Sequence, residues 1–285
     1  MGEPPILLPL PGFEPLAESV TGVERVCPTL ARFDNGEIEV RLRAPVAGRD
    51  CVVLGTAAPP AERLVELLLA ADTLARHDAR SVRAMLPYMA YARQDRPEPG
   101  HSLAAAWLGR ALAASGIEAV TTIDIHSDAA RELIGLPLAS LSPAPLFARA
   151  LAPTVSPDTV VVAPDGGAVA RAAATAHALG TDRPVAWLEK KRTAAGVTHE
   201  RIVGELARHA IVVDDILDTG GTLVSCCREL ISCGVQSVTV AVTLGLFTGR
   251  RGSGPGAARR SSGLARVHTI ASLLTAAVPT AGSGV

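Results

Sequence analysis

The sequence predicts an α/β protein with two domains in tandem, each a parallel sheet flanked by helices. The first observation is length, because 285 residues correspond to about two domains of roughly 150 residues each. The second is that short apolar, β-branched runs alternate with helical stretches, which is typical of parallel sheets covered by helices. The third is a proline-rich stretch at 141–157, from which we place the domains at 1–145 and 146–285.

In the first domain the elements follow from the spacing of apolar residues. Leucine and alanine recur every three or four residues over 61–77, which predicts a helix with one apolar face. Ser102 is a suitable N-cap for a later helix. In chain order we expect a strand at Cys51–Leu54, a helix at Ala61–His77, a strand at Val82–Leu86, a helix from Ser102 to Gly116, a strand at Ala119–Ile125 and a short helix at Ser127–Ile134.

The second domain repeats this alternation. In chain order we expect a strand at Thr159–Ala163, a helix near Gly167–Leu179, strands at Pro184–Leu188 and Ile211–Val213, a helix at Thr222–Cys233 and a strand at Ser237–Leu244. Continuous apolar runs of this kind indicate strands that are buried on both faces. The stretch Arg250–Gly263 is rich in arginine, glycine and serine, which predicts a loop or disorder.

Composition argues against several classes of function. The 27 basic and 28 acidic residues give a net charge of −1, and 2 Trp, 2 Tyr and 4 Phe offer few platforms for stacking bases, unlike a dedicated nucleic-acid-binding protein. No apolar run is long enough to span a bilayer, and the proline-broken start lacks the basic region of a signal peptide. The five cysteines show no metal-ligand spacing and indicate reduced packing residues. We therefore expect a cytoplasmic protein without nucleic-acid or membrane partners.

The strongest chemical motif follows the strand predicted at Ile211–Val213. It consists of Asp214, Asp215, Asp218, Thr219, Gly220, Gly221 and Thr222, and it leads directly into a helix. The glycines let the backbone approach an anion, and amides at the helix start can bind a phosphate. The paired carboxylates can accept hydrogen bonds from a vicinal diol, directly or through Mg²⁺. An acidic turn with an ordinary N-cap is the alternative, but the whole assembly predicts a site for a ribose phosphate.

A second motif lies after the strand predicted at Val82–Leu86. Arg93 and Arg96 can neutralise polyphosphate charge, while Gln94 and Asp95 offer hydrogen-bonding groups for a nucleotide. Such a loop by itself is more often a solvated surface turn. No GxxxxGK[ST] segment occurs, so a Walker P-loop does not hold the phosphates.

The lysines form a third feature. Lys190 and Lys191 are the only lysines in a chain with 27 basic residues, and they are adjacent. Since arginine serves elsewhere as the generic cation, the pair suggests a need for an ammonium group. A solvated basic turn is the plainer interpretation of a lone Lys-Lys-Arg segment.

Three other sites have ordinary structural explanations when taken alone. Asn35-Gly36 is a strong signal for a hairpin turn. His126 stands at the carboxyl end of a predicted strand, where a lone histidine is usually structural or merely exposed. Asp165 precedes Gly166 and Gly167 and could simply cap the start of a helix.

Six segments together resemble the ribose-phosphate diphosphokinases, or PRPP synthases, in the order of that family and over about Ile6 to Gly249. Ile211–Leu230 is similar to the phosphoribosyl-diphosphate motif that the family shares with type I phosphoribosyltransferases. Pro87–Arg96 is similar to the family's ATP-binding segment, which those transferases lack. The remaining segments are Arg32–Glu37 (the adenine loop), Thr122–His126 (family TVDLH), Ala163–Gly167 (family SPDxGG) and Leu188–Arg192 (family IDKRR).

The resemblance implies two phosphoribosyltransferase-like domains and transfer of the β,γ-diphosphoryl group of ATP to the 1-hydroxyl of ribose 5-phosphate, with Mg²⁺ as cofactor. Lys190 and Arg192 would be catalytic, and His126 and Asp165 would hold the metal. ATP would contact Phe33, Asn35, Gly36, Glu37, Arg93, Gln94, Asp95 and Arg96, and ribose 5-phosphate would contact Arg192, Asp214, Asp215, Asp218, Thr219, Gly220, Gly221 and Thr222. The family's adenine loop reaches a neighbouring subunit, so the resemblance also implies a homo-oligomer, a dimer or higher.

The C-terminal region departs from the family pattern. A further strand, ending TDTIP in the family, is expected to be absent here, and Val267–Ala277 is expected to be the terminal helix of a shortened domain. Two alternatives therefore stay open. One is a non-catalytic regulatory subunit of this family, which the shortened end mildly favours. The other is a type I phosphoribosyltransferase, which would not need both Arg93–Arg96 and Lys190–Arg192.

Overall fold

The computed structural model describes residues 2–193, 196–246 and 265–269. The chain divides after Leu141 into two compact units. The boundary expected between residues 145 and 146 falls inside the first helix of the second unit, Ala144–Leu151. That helix lies within the proline-rich stretch, because Pro143 and Pro145 occupy its first positions, where a missing amide donor is tolerated.

The first unit contains a six-stranded parallel sheet in the order β2-β1-β5-β6-β7-β8. Its elements are β1 (Ile6–Pro9), α1 (Glu14–Glu18), β2 (Glu24–Arg25), β3 (Thr29–Arg32), β4 (Ile38–Arg41), β5 (Asp50–Leu54), α2 (Glu62–Arg76), β6 (Ser81–Leu86), α3 (Ala104–Ala114), β7 (Ala119–Ile123), α4 (Asp128–Ile134) and β8 (Leu138–Leu141). Strands β3 and β4 form a separate antiparallel hairpin.

Helix α2 shows why the spacing of apolar residues correctly predicted helices in this unit. Leu64, Leu67, Ala71 and Leu74 recur at helical spacing and are all buried against the sheet, as the sequence predicted. The N-cap assigned to Ser102 is wrong, because α3 starts after Leu103 without a side-chain cap. The hydroxyl of Ser102 instead donates to Gln94 Oε1 at 2.7 Å.

The second unit contains a six-stranded sheet in the order β11-β10-β9-β12-β13-β14. Its elements are α5 (Ala144–Leu151), β9 (Thr159–Ala163), α6 (Val169–Leu179), β10 (Ala186–Thr193), β11 (Gly196–Val203), β12 (His209–Leu217), α7 (Gly221–Ser232), β13 (Ser237–Gly245) and β14 (Ala265–Thr269), with short 3₁₀ turns at Ala152–Thr154 and Gly166–Ala168. All neighbouring strands run parallel except β10 and β11, which are antiparallel.

Strand β14 overturns the expectation that the second domain lacks a further strand. Residues 265–269 pair in parallel with β13, Val240 opposite Val267, so they form a sheet edge rather than the start of a terminal helix. A short apolar run cannot be assigned to helix or strand by periodicity alone. Here the run forms a strand because the edge of β13 offers it backbone hydrogen-bonding partners. The loop predicted at 250–263 and the rest of the expected terminal helix lie outside the described residues.

No disulfide joins the cysteines. Cys51, Cys226 and Cys227 are buried as packing residues, as expected, whereas Cys27 and Cys233 are exposed, so the packing role predicted for all five is wrong for these two. Over the described part of the chain, no helix has the length and apolar character required to cross a membrane.

Candidate functional site

In the second unit, the loops that carry the predicted ligand residues leave the same edge of the sheet. Strands β9, β10 and β12 are parallel, with Trp187 opposite Ala163 and Val212 opposite Val162. Their carboxyl ends therefore meet, which is where ligands gather in open α/β sheets. We call this the carboxyl edge of the second sheet. Lys190 and Asp214 lie on the two strands that flank β9, but β10 pairs with β9 only at Ala186 and Trp187, so Lys190 lies beyond the part of β10 that belongs to the parallel sheet.

The segment 214–222, which we call the acid loop, comprises the last four residues of β12, the turn 218–220 and the first two residues of α7. The strand was predicted to end at Val213 but continues to Leu217, still paired with β13. Gly220 precedes the helix with φ +83°, a left-handed conformation that glycine adopts without strain. Thr219, Gly221 and Thr222 are exposed, so the backbone at the start of α7 is open to solvent. This geometry fits an anion bound by the free amides at the start of a helix.

The two carboxyl groups of the acid loop influence each other. Asp215 is buried within β12, two residues before the strand ends, and its amide donates to Asp214 Oδ1 at 3.0 Å. Burial, followed by the charge of Asp215, raises the pKa of Asp214 to about 7, while Arg171 acts in the opposite direction. Burial and repulsion thus favour protonation of Asp214, and a nearby cation or a hydrogen-bond-donating ligand would favour its charged form.

Arg171 is the residue that the sequence interpretation missed. It lies in α6, and its Nη2 atom is 3.9 Å from Asp215 Oδ2, with only 11% and 9% of the two side chains exposed. The sequence feature that could have identified it is a single arginine in an otherwise alanine-rich helix, VARAAATAHAL. This helix directly follows the turn at Asp165, which was predicted to bind a ligand. A buried guanidinium almost always has a charged partner.

Asp165 lies at the same edge, after β9. Its Oδ1 accepts hydrogen bonds from the amides of Gly167 (2.9 Å) and Ala168 (3.2 Å), so it caps the 3₁₀ turn, as the plainer interpretation predicted. A Cβ atom added to Gly166 would meet nothing within 4 Å, which leaves open space beside the turn. A metal-binding role of Asp165 stays a prediction.

The lysine segment lies on a strand rather than in a turn. Strand β10 was predicted to end at Leu188 but continues to Thr193, pairing with β11 while only Ala186 and Trp187 pair with β9. Residues 188–193 and 196–202 therefore form a two-stranded ribbon beyond the parallel sheet, which we call the flap. The pairing shifts between Glu189 and Lys190, as in a β-bulge, and bulges are frequent beside active sites. Glu189 Oε2 pairs with Arg201 Nε at 3.3 Å at the base of the flap.

In the first unit, the segment 87–96, which we call the arginine loop, follows β6, and His126 follows the neighbouring parallel strand β7. Arg93, Arg96 and His126 are exposed, and they leave the same edge of the first sheet. Asp95 Oδ2 accepts a hydrogen bond from the hydroxyl of Ser127, which also caps α4 by accepting from the amide of Ala130 at 3.0 Å. The bond therefore ties the arginine loop to the turn that carries His126.

The arginine loop is constrained at two further points. Tyr91 has φ +65°, a strained value for a bulky residue, and its ring meets Trp107 edge-on at 5.7 Å. Gln94 Oε1 accepts from the hydroxyl of Ser102. Unusual backbone of this kind tends to occur where a loop is held ready for a ligand. Ser102, Ser127 and Trp107 were not identified as site residues from the sequence.

The segment Arg32–Glu37 forms the turn of the β3–β4 hairpin, as the Asn-Gly signal predicted. Gly36 has φ +90°, Asn35 Oδ1 accepts from the amide of Glu37 at 3.1 Å, and Phe33 is 52% exposed. An exposed aromatic ring on a rigid turn can stack on a base. Its role toward adenine stays a prediction.

Comparison with known proteins agrees with this geometry. Residues 12–116 match the family model for the N-terminal domain of ribose phosphate pyrophosphokinase, and residues 149–262 match that for the phosphoribosyl transferase domain. A ribose-phosphate pyrophosphokinase of Granulibacter bethesdensis is 37% identical over 243 residues, which cover 82% of this chain and 78% of the relative. One of Thermosipho africanus is 36% identical over 220 residues, covering 75% and 69%.

A solved structure matches over both units. The phosphoribosylpyrophosphate synthetase of Mycobacterium smegmatis has a TM-score of 0.79 and 28% identity, covering 95% of this chain and 97% of that one. The architecture is therefore two phosphoribosyltransferase-like domains with parallel sheets flanked by helices.

Proposed function

The chain belongs to the ribose-phosphate pyrophosphokinase family, and from that premise we propose that it is an enzyme that converts ATP and ribose 5-phosphate into PRPP and AMP. The observation that carries the proposal is the carboxyl edge of the second sheet. It brings together the acid loop and the Asp165 turn, which carry carboxylates, and the flap, which carries Lys190 and Arg192, and these segments are proposed to act together in diphosphoryl transfer to a sugar phosphate.

Ribose 5-phosphate is proposed to bind in the acid loop. Amides and threonine hydroxyls at the start of α7 would bind the 5-phosphate, and Asp214 with Asp215 would accept hydrogen bonds from the 2- and 3-hydroxyls. Such binding holds the anomeric carbon at a fixed position, so the entropy of bringing two reactants together is lost before the chemical step.

The nucleotide is proposed to bind at the first unit. Arg93 and Arg96 are exposed cations on a loop held by Asp95 and Gln94, which suits them to neutralise the charge of a triphosphate. The exposed ring of Phe33, with Asn35, Gly36 and Glu37, would receive the adenine, and in an oligomer that adenine would belong to a neighbouring subunit.

In the reaction, the 1-hydroxyl oxygen of the sugar attacks the β-phosphorus of ATP. The bond between the β-phosphorus and the oxygen that bridges to the α-phosphorus breaks, AMP leaves with that oxygen, and the hydroxyl proton is released. Charge accumulates on the transferred group, so positioning and neutralisation are the main sources of rate acceleration. Lys190 and Arg192 on the flap are proposed to supply that neutralisation.

The residues fit Mg²⁺ as the cofactor. Among the described residues no group of three or more His, Cys, Asp or Glu side chains could form a complete metal cage. Mg²⁺ usually needs only one or two carboxylates, with water and substrate phosphates as the other ligands, so Asp165 and the substrates provide a suitable set, and His126 would assist at the ATP phosphates. When bound, the ion would supply electrostatic stabilisation of the phosphate oxygens.

Purified protein incubated with Mg-ATP and ribose 5-phosphate should release AMP in equal amount to PRPP formed. A phosphoribosyltransferase would instead release pyrophosphate from PRPP and a nucleobase, and a non-catalytic subunit would do neither. Absence of AMP release, with both substrates saturating, would refute the proposed activity. Light scattering of the same sample should show a homo-oligomer.

A further inference from the structure

Arg171 forms a largely buried ion pair with Asp215 of the acid loop. The Nη2–Oδ2 distance is 3.9 Å, and about a tenth of each side chain is exposed. Arg171 comes from α6, which begins directly after the turn capped by Asp165, whereas Asp215 lies two residues before the end of β12. The pair therefore joins the two loops that leave neighbouring strands at the carboxyl edge of the second sheet.

The acid loop needs such a cation for a physical reason. Asp214 and Asp215 are adjacent, largely removed from water, and repel each other when both are charged. A carboxylate is the form that accepts hydrogen bonds on both oxygens, so a diol is bound best by ionised carboxylates with fixed orientation. The amide of Asp215, which donates to Asp214, and the positive charge of Arg171 both oppose the effects of burial and repulsion, and Arg171 is the one of the two that approaches the Asp215 carboxylate.

We infer that Arg171 is a positioning residue for the sugar, holding the Asp215 carboxylate charged and oriented toward the ribose hydroxyls. This inference rests on the proposed binding of ribose 5-phosphate in the acid loop. Arg171 itself touches neither substrate, and its effect passes through Asp215. A purely structural arginine would alter folding, but it would not selectively alter the affinity for the sugar.

The test measures ribose 5-phosphate binding by calorimetry in Mg²⁺ buffer without ATP, so it does not depend on turnover. The variants are Arg171→Gln, Arg171→Lys and Arg228→Gln, the last being a matched control because Arg228 is an exposed arginine on α7. We expect Arg171→Gln to weaken binding about tenfold or more, consistent with loss of a charged contact. Arg171→Lys should recover most of the affinity, and Arg228→Gln should bind like the unmodified protein.

A double-mutant cycle distinguishes loss of the contact between Arg171 and Asp215 from a general loss of folding. Once Asp215→Asn has removed the charge that Arg171 serves, adding Arg171→Gln should weaken ribose 5-phosphate binding little further. In steady state, the KM for ribose 5-phosphate should rise in Arg171→Gln while the KM for ATP stays within about twofold, because ATP is held elsewhere.

The inference and the proposed function fail in different ways. Equal sugar affinity in Arg171→Gln and the unmodified protein, or additive effects in the cycle, would overturn the role of Arg171 alone. Normal sugar binding without AMP release would overturn the proposed reaction but not this role. If the unmodified protein does not bind ribose 5-phosphate, both are overturned.

Discussion

The two units have the same type of sheet but place different groups at its carboxyl edge. In the first unit, Arg93, Arg96 and His126 are exposed on loops after β6 and β7. In the second, Asp214 and Asp215 lie within β12 near its carboxyl end, beside the largely buried side chain of Arg171, while Lys190 and Arg192 lie on the flap that extends β10. A parallel sheet thus supplies the location of a site, whereas the loop residues and their burial decide which ligand it suits.

The two edges also differ in how they are held. In the first unit, side chains hold the arginine loop, through Ser127 with Asp95 and Ser102 with Gln94. In the second, backbone features dominate, with Gly220 in a left-handed conformation and the amides after Asp165 bound to its carboxylate. We therefore expect substitutions at the first edge to change mainly the affinity for its ligand. We expect substitutions at the second edge to change mainly the protonation of its carboxylates and the rate of the reaction.

The largest effect is expected on the flap. Lys190→Ala should lower kcat by roughly 10²–10³-fold, because charge stabilisation in the transition state is lost, while ribose 5-phosphate affinity changes little. The measurement is steady-state AMP release with calorimetry of the sugar. Lys191→Ala is the matched control and should lose far less activity; near-normal turnover in Lys190→Ala would contradict the catalytic role.

The next effect tests the cationic edge of the first unit. Arg96→Gln should raise the KM for ATP about tenfold through loss of a charged phosphate contact, without altering sugar binding. Arg110→Gln, an exposed arginine on α3, serves as the control. If Arg96→Gln instead weakens ribose 5-phosphate binding and leaves the KM for ATP unchanged, the division of ligands between the two units is wrong.

The acid pair predicts an unusual pH dependence of stability. The pKa of Asp214 is raised from 3.8 to about 7, so the folded state binds its proton more tightly than the unfolded state does. The free energy of unfolding therefore falls as pH rises from about 4 to about 7 and stays low above that range. Asp214→Asn should stabilise the second unit by roughly 1–3 kcal/mol at pH 8 and much less at pH 4, as measured by denaturant titration.

Asp50 in the first unit serves as a control, because its pKa is shifted in the opposite direction from that of Asp214. Its pKa is lowered, chiefly by the hydrogen bond from Arg80 and then by Ser81, so its contribution to stability is present above about pH 4 and lost on acidification. Asp50→Asn should therefore destabilise the protein at neutral pH and have no effect in strong acid. The same sign of pH dependence in both variants would refute the contrast between the units.

The smallest effect concerns Ser127. Ser127→Ala removes the α4 cap and the partner of Asp95, so we expect a loss of about 1 kcal/mol in unfolding free energy and a rise of a few-fold in the KM for ATP. Ser127→Thr keeps the hydroxyl and should retain both properties. An unchanged KM in Ser127→Ala would show that the bond to Asp95 does not position the arginine loop.

Much of the fold and of the candidate site could be predicted from local sequence. Buried strands such as Thr159–Ala163 and the helix Val169–Leu179 carry their pattern of apolar residues within a few positions. The ligand motifs could be found for the same reason, since glycines, paired acids and adjacent lysines stand next to one another in the chain. The alternation of strands and helices predicted these motifs just after strand ends, but Asp214, Asp215 and Lys190 lie within β12 and β10, because both strands continue past their predicted ends.

Tertiary structure alone decided the features that join distant residues. Arg171 meets Asp215, and Ser127 meets Asp95, because strand order and register bring separate loops together. Residues 265–269 become a strand because β13 offers unpaired backbone groups, which no local pattern encodes. By itself the sequence determined which segments are apolar, which loops carry charge and which chemistry those charges suit. The pairing of one loop with another depends on the packed sheet, since only the folded chain sets those distances.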